Sequence, residues 1–345
     1  FGVMRDKSLT GILQQPRAES GYDKLLRAKT SGFHLVSSMA GDLGFIGVST
    51  QHSLIQKLFP LWVDVLGLGE AKLRGFDHPP GVSFAEMRSQ VEQLREDSSL
   101  AGALVTTHKV VVWEGAKDLF SESDSHAQRL HEVSCISRNS EGELVAHAKD
   151  PLTARWAINQ IVSPDHWQRF PAAEVLILGA GGAGLALAWV LLDSNEKTAR
   201  IHLTEVEAGR GSQVRDHLKE FSPKLWNLHK IDSPEEADLI LAKLPPQSLI
   251  VNASGLGKDR PGSPLSANAD FPSECHIWEF NYRGSLEFLH QALRQQRKQR
   301  LHIHDGWEYF LAGWAYIIAE VYHFELTEPL FAKLREAALP LRPSH

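Results

Sequence analysis

Cysteine is nearly absent. Cys135 and Cys275 are the only two in 345 residues, too far apart for a CxxC pair and too few for a disulfide framework. A reducing, cytoplasmic setting is the expectation. No stretch approaches the roughly 20 apolar residues that a bilayer-spanning helix needs, and the apolar run over 174–192 is interrupted by glycines. No short basic stretch leading into an apolar segment follows Phe1, so no leader peptide is expected. An excess of positive charge is missing too. With 36 Lys and Arg against 42 Asp and Glu, the net charge of −6 offers no general attraction for nucleic acid or an anionic membrane. Any anionic ligand must be held by local groups. What is present is ordinary globular composition, 43% hydrophobic and 23% charged, over a length that fits two domains at roughly 100 to 200 residues each.

In the second half, short apolar runs alternate with longer amphipathic segments, the rhythm of βαβ units around a parallel sheet. The pattern predicts strands at 175–178, 201–204, 249–253, 276–280 and 301–304, and helices at 182–193, 286–296 and 307–322. The first half predicts strands at 43–48 and 104–106, with a helix over 54–66, where Leu54, Leu58, Phe59, Trp62, Val63 and Leu66 fall at helical spacing. Two runs, 133–138 and 144–148, flank the polar cluster Asn139-Ser140-Glu141-Gly142 and read as a hairpin, followed by a short helix over 152–161. The expected organisation is therefore two-domain α/β. Residues 1–40 form an N-terminal extension, 41–160 an α/β substrate domain, and 161–324 a doubly wound, Rossmann-type nucleotide domain. A C-terminal helix within 325–345 packs back on the first domain.

One motif carries chemistry by its context. Gly179-Ala180-Gly181-Gly182-Ala183-Gly184 follows a strand and opens a helix. In this G-x-G-x-x-G pattern the first glycine permits a tight turn, the second lets backbone approach a pyrophosphate, and the third allows close helix packing. Glu205 ends the next strand, where an acidic group accepts from the ribose hydroxyls and repels a 2′-phosphate. NAD is the favoured cofactor; the plain alternative is that Glu205 or Glu207 is only a solvated strand-end charge, and Arg210, which could receive a phosphate, leaves NADP open.

Other segments of the chain, in one order, resemble the shikimate and quinate dehydrogenases. Gly102-Ala-Leu-Val-Thr106-Thr-His-Lys109 resembles that family's G-x-N-V-T-x-P-x-K segment, and Asp150 falls where its N-T-D aspartate sits. Gly47 with His52-Ser53 resembles the first G-N-P…H-S stretch, Val251-Asn252-Ala253-Ser254-Gly255 the I-N-A-T-S strand end, and Asp305-Gly306 the D-G before the last helix. The resemblance implies a two-domain NAD(P)-dependent alcohol dehydrogenase with a small-molecule substrate, either monomeric or homodimeric. Lys109 and Asp150 would be its catalytic pair. A lysine flanked by Val110, Val111 and Val112 in a closed cleft is expected to have a depressed pKa and to take the hydroxyl proton. His108 is the local competitor for that role. Ser53, Thr106, Tyr282 and Arg283 would contact substrate, while Asn252, Ala253, Ser254 and Gly306 would join the glycines and Glu205 around the cofactor.

The departures point to a different substrate. Leu104, Ala148-Lys149, Ile55 and Gly313 stand where the family has Asn, Asn-Thr, Ser and Gln. A site that hydrogen-bonds a polyol discriminates through such groups. The expected substrate is thus a cyclic polyol or hydroxy acid related to quinate, shikimate or a C7 cyclitol, and not shikimate itself. The alternative is a catalytically silent metabolite sensor on the same fold, which the presence of both Lys109 and Asp150 argues against. His302-x-His304 alternates on one strand and reads as structural, so no metal is expected. The basic run Arg294, Arg297, Lys298, Arg300 reads as a solvated helix end. Trp307 and Tyr309 are expected in the core, with a possible place at the cleft.

Overall fold

Apolar runs with no polar alternation become strands covered on both faces, as in the fully buried Val175–Leu178. The computed structural model describes residues 40–194, 199–258 and 260–344, all within one compact unit over Val36–His345. The expected N-terminal extension lies, apart from Ala40, outside the described residues. Two six-stranded sheets result. The first holds β1 (Asp42–Gly47), β2 (Leu73–Asp77), β3 (Leu100–Val105), β4 (Glu122–Ser123), β5 (Cys135–Arg138) and β6 (Leu144–His147), in the order β2-β1-β3-β5-β6-β4. Strands β5 and β6 form the antiparallel hairpin around Asn139–Gly142. The second holds β7 (Val175–Leu178), β8 (Ile201–Glu205), β9 (Trp226–Lys230), β10 (Leu249–Asn252), β11 (His276–Glu279) and β12 (His302–His304), in the order β12-β11-β10-β7-β8-β9. Every pairing in it is parallel. Strand order reverses between β7 and β10, the switch point where open α/β sheets bind ligands at their carboxyl ends.

Helices cover both sheets: α1 (Ile55–Leu66), α2 (Phe84–Glu96), α3 (Lys109–Ala116), α4 (Ser125–Leu130), α5 (Asp150–Ile161), α6 (Gly182–Asp193), α7 (Gly211–Leu218), α8 (Pro234–Leu241), α9 (Glu287–Gln299), α10 (Trp307–Val321) and α11 (Glu328–Ala338). Helix α10 buries Leu311, Trp314, Ile317, Ile318 and Val321 in one core with Leu43, Phe45 and Leu104 of the first sheet. Phe45 meets Trp314 edge-on, with centroids 5.0 Å apart. Close approach there depends on Gly102, since a Cβ would lie 2.3 Å from the Ile136 carbonyl oxygen and 3.0 Å from Val321. Helix α11 lies against α1, where the Trp62 indole donates to the Leu334 carbonyl at 2.8 Å.

Lys149, at the N-cap of α5, is buried and donates to Glu320 of α10 at 2.7 Å, with His147 3.7 Å from the same carboxylate. Burial opposes its charge, but Glu320 outweighs this and raises the lysine above its ordinary pKa. Removing one partner of a buried pair leaves the other charge uncompensated, so Glu320→Ala should lower stability by about 3 to 5 kcal/mol. A urea midpoint indistinguishable from wild type would show that the pair does not hold α10 to α5.

Candidate functional site

The carboxyl ends of the first sheet place two helix starts face to face. Strand β3 ends at Val105, Thr106 donates its hydroxyl to the Ile46 carbonyl of β1 at 3.3 Å, and Lys109 opens α3. Asp150 opens α5, with a proline in the first turn. Between them runs Glu132–Ser134. The Val133 amide donates to the Lys109 carbonyl at 3.0 Å, and the Lys149 amide donates to the Ser134 hydroxyl at 2.7 Å. This frame brings the Lys109 ammonium into direct hydrogen-bonded contact with Asp150 Oδ2, with side-chain exposures of only 21% and 15%.

The expected depression of the lysine's pKa is corrected by this geometry. Burial does oppose the charge, but Asp150 and Glu132 outweigh it, so Lys109 sits above its ordinary value. Val110 is 51% exposed and supplies little of the apolar shell that the sequence implied. Two neighbours had little or no weight in the sequence. Glu132 is buried, and its carboxyl is pushed up to about 7 by burial, with Lys109 opposing and Asp150 adding to the rise. Tyr309 stacks on Phe280 with centroids 4.7 Å apart, and its phenol is raised well above 10 by burial, Asp150 and Glu132. A charged residue immediately before a buried hairpin strand was the available signal for Glu132.

His108 turns away from the pair. Its Nε2 donates to the His78 carbonyl at 3.0 Å, which makes it a packing residue of the β2 edge. Ser53 caps a single turn, Thr50–His52, where its amide donates to the Thr50 carbonyl and its carbonyl accepts from the Gln56 amide, at 3.1 Å each. Tyr282 is buried against Phe310, with centroids 4.1 Å apart, and the half-buried Arg283 follows it in the turn after β11. Leu104, Ile55 and Ala148 are all buried in the core, and a Cβ on Gly313 would lie 3.7 Å from Thr153 Cγ2.

On the second sheet the glycine loop forms a cradle. Gly179 has a positive φ of 105°, and a Cβ there would lie 2.7 Å from the Ser254 Cα, while one on Gly184 would lie 2.1 Å from the Gly179 carbonyl oxygen. A Cβ on Gly181 would meet nothing within 4 Å, so backbone faces open space at the start of α6. Gly182 and Ala183 are the first residues of that helix, whose leading amides lack intrahelical partners. An anionic pyrophosphate fits such an end. Asn252 is fully buried and donates to Glu279 at 2.8 Å and to the Leu256 carbonyl at 3.2 Å, while it accepts from Ser254; it shapes the loop beside Ala253. Gly306 lies tight against the Phe280 carbonyl oxygen, 2.1 Å from a would-be Cβ, and lets α10 begin beside the end of β11.

Glu205 ends β8. Its Oε1 accepts from the amides of Val206 and Glu207, at 2.8 Å each, and its Oε2 lies 3.6 Å from Arg210. Arg210 also donates to the Ala180 carbonyl at 3.4 Å, so it bridges Glu205 and the glycine loop. A cleft of about 800 Å³ runs from Glu132 and Gly182 to Arg210 and His217. His302 and His304 stack with His276, and no cluster of three or more metal-binding side chains occurs among the described residues. No helix among the described residues is long and apolar enough to cross a membrane.

No family model matches the sequence. A shikimate dehydrogenase (NADP(+)) of Thermococcus kodakarensis is 28% identical over 155 residues, which cover 44% of this chain and 50% of that one. The chain spans about half the length of the curated relatives it matches. Solved structures extend the likeness. A quinate dehydrogenase from Corynebacterium glutamicum in complex with NAD superposes with a TM-score of 0.67 at 16% identity, covering 87% of this chain and 99% of that one. A shikimate 5-dehydrogenase from Listeria monocytogenes in complex with shikimate and NAD gives 0.63 at 19% identity, covering 86% and 96%. The two-sheet topology with its reversed strand order is thus the fold of the solved quinate and shikimate dehydrogenase structures, and part of the sequence is similar to curated shikimate dehydrogenases.

Proposed function

We propose that the protein is an NAD(P)-dependent oxidoreductase acting on the hydroxyl or keto group of a small cyclic hydroxy acid or polyol. The observation that carries this reading is the Lys109–Asp150 pair, recessed at the carboxyl ends of one sheet while the glycine cradle opens at those of the other. A nicotinamide held at the cradle would give or take the hydride. Glu205 favours NAD, because its carboxylate would meet a 2′-phosphate with like charge; Arg210 at its side is the group through which NADP would be admitted.

Lys109 enters the reaction as an ammonium, since Asp150 and Glu132 raise its pKa. It is thus set to donate a proton to the oxygen of a keto substrate, with Asp150 holding the ammonium in place and taking up its charge. The resting state suits reduction, and the reverse direction first requires loss of that proton. Lys109→Met should lower the reductive kcat by about 10² to 10⁴ with a smaller change in KM. At saturating cofactor the wild-type oxidation rate should keep rising with pH, roughly tenfold per unit, through and beyond neutrality. That rise should vanish in Lys109→Met. A near-normal kcat in the variant would take the proton transfer away from Lys109, whereas NAD binding by the wild type with no turnover of any keto compound tested would favour a silent metabolite sensor.

The substitutions at the resembled family's polar positions set the substrate. Leu104, Ile55 and Ala148 carry no side-chain donors or acceptors, so ring hydroxyls that lose water near them gain no replacement partner there. Shikimate should therefore be turned over poorly or not at all, with a keto compound carrying fewer ring hydroxyls preferred. A steady-state kcat/KM for shikimate of about 10⁴ M⁻¹s⁻¹ or more would contradict this.

A further inference from the structure

Glu132 stands between the two halves of the site. It is 5% exposed, its Oε1 has no hydrogen-bond partner, and it makes no ion pair among the described residues. Its other oxygen, Oε2, lies 3.5 Å from the point a Cβ on Gly182 would occupy. Gly182 is the first residue of α6, the positive helix end at which a pyrophosphate would dock. A carboxylate here and a pyrophosphate would compete for one positive terminus. We propose that Glu132 makes dinucleotide binding proton-linked: the cofactor docks preferentially when Glu132 is neutral, so one proton is taken from solvent as the dinucleotide binds. This rests on the reading of the Gly179–Gly184 loop as the dinucleotide site.

The surrounding charges leave that proton mobile near neutrality. Lys109 on α3 attracts the carboxylate, but Asp150 on α5 already neutralises it and itself repels Glu132. Tyr309 on α10 faces the same group as a neutral phenol. The same cleft is lined by His131, at the end of α4, by Arg210 and by His217, whose pKa burial and the neighbouring His131 lower. With burial dominating, the carboxyl titrates at about 7 in the free protein, and a pyrophosphate at Gly182 drives it higher. The sign follows: the bound state holds more protons than the free state above neutrality, so affinity falls as pH rises.

The test is calorimetric titration of NAD into wild type and Glu132→Gln at about pH 6 and about pH 8.5, each in two buffers of different ionisation enthalpy. The expected wild-type Kd rises by up to roughly tenfold per pH unit above neutrality, with uptake approaching one proton per NAD. Glu132→Gln should bind with a Kd that is flat in pH and at least as tight as wild type at the acid end. Wild-type binding without proton uptake overturns the proposal whether or not the variant folds, and leaves the loop's role standing. A pH slope that survives in Glu132→Gln overturns it in favour of His131 or His217. Failure of both proteins to bind NAD at either pH overturns the reading of the loop itself, and the proposal with it.

Discussion

The site depends on an ion pair built across two helix starts. A lysine at the first position of α3 faces the positive end of its own helix dipole, an unfavourable place for an ammonium, while an aspartate at the first position of α5 is favoured there. Pairing the two lets Asp150 compensate Lys109, and the segment Glu132–Ser134 ties both helix starts together, by a backbone bond to Lys109 and by the Ser134 hydroxyl that accepts from the Lys149 amide. The β5–β6 hairpin and the buried Lys149–Glu320 pair are the supports of that frame. Loosening either would leave a half-buried cation without its counter-charge.

The second sheet contributes by subtraction. Glycines at 179 and 184 exist because backbone atoms of Ser254 and Gly179 occupy the space a side chain would need, and Gly181 leaves the helix end bare. Arg210 donates to the Ala180 carbonyl of the loop, and the Glu132 carboxyl approaches Gly182 at the helix start. The electrostatics of the cradle are therefore set as much by the segment facing it as by the loop, and Glu132 acts electrostatically on both the cradle and the Lys109–Asp150 pair.

Much of the architecture was legible. The fully buried strands β7 and β10 and the helix after the glycines stand out because uninterrupted apolar runs and glycine spacing leave few alternatives. Strands β2 and β9 did not, since they are half-buried edge strands whose residues Arg74, Asp77, Asn227 and Lys230 break any apolar run. Helix α2 carried a readable signal that went unused: Ser83 and Glu86 form a capping box ahead of Met87, Val91 and Leu94. At the site, pairing of Lys109 with Asp150 could be inferred from motif order, but the direction of the lysine's pKa could not. That direction depends on the burial of the Asp150 contact and on Glu132, which acts on the lysine electrostatically and lies in no motif.

The most direct measurement of whether the cradle receives a nicotinamide dinucleotide is calorimetric titration of NAD into wild type and Gly181→Val at mildly acid pH. The substituted side chain enters open space at an ordinary φ of −71°, so folding should be preserved while the approach of a pyrophosphate is blocked. Binding by wild type and none by Gly181→Val, with matching urea midpoints, is the expected result. Equal affinity in the two proteins would mean that the loop is only a turn and that the dehydrogenase reading of the site is wrong.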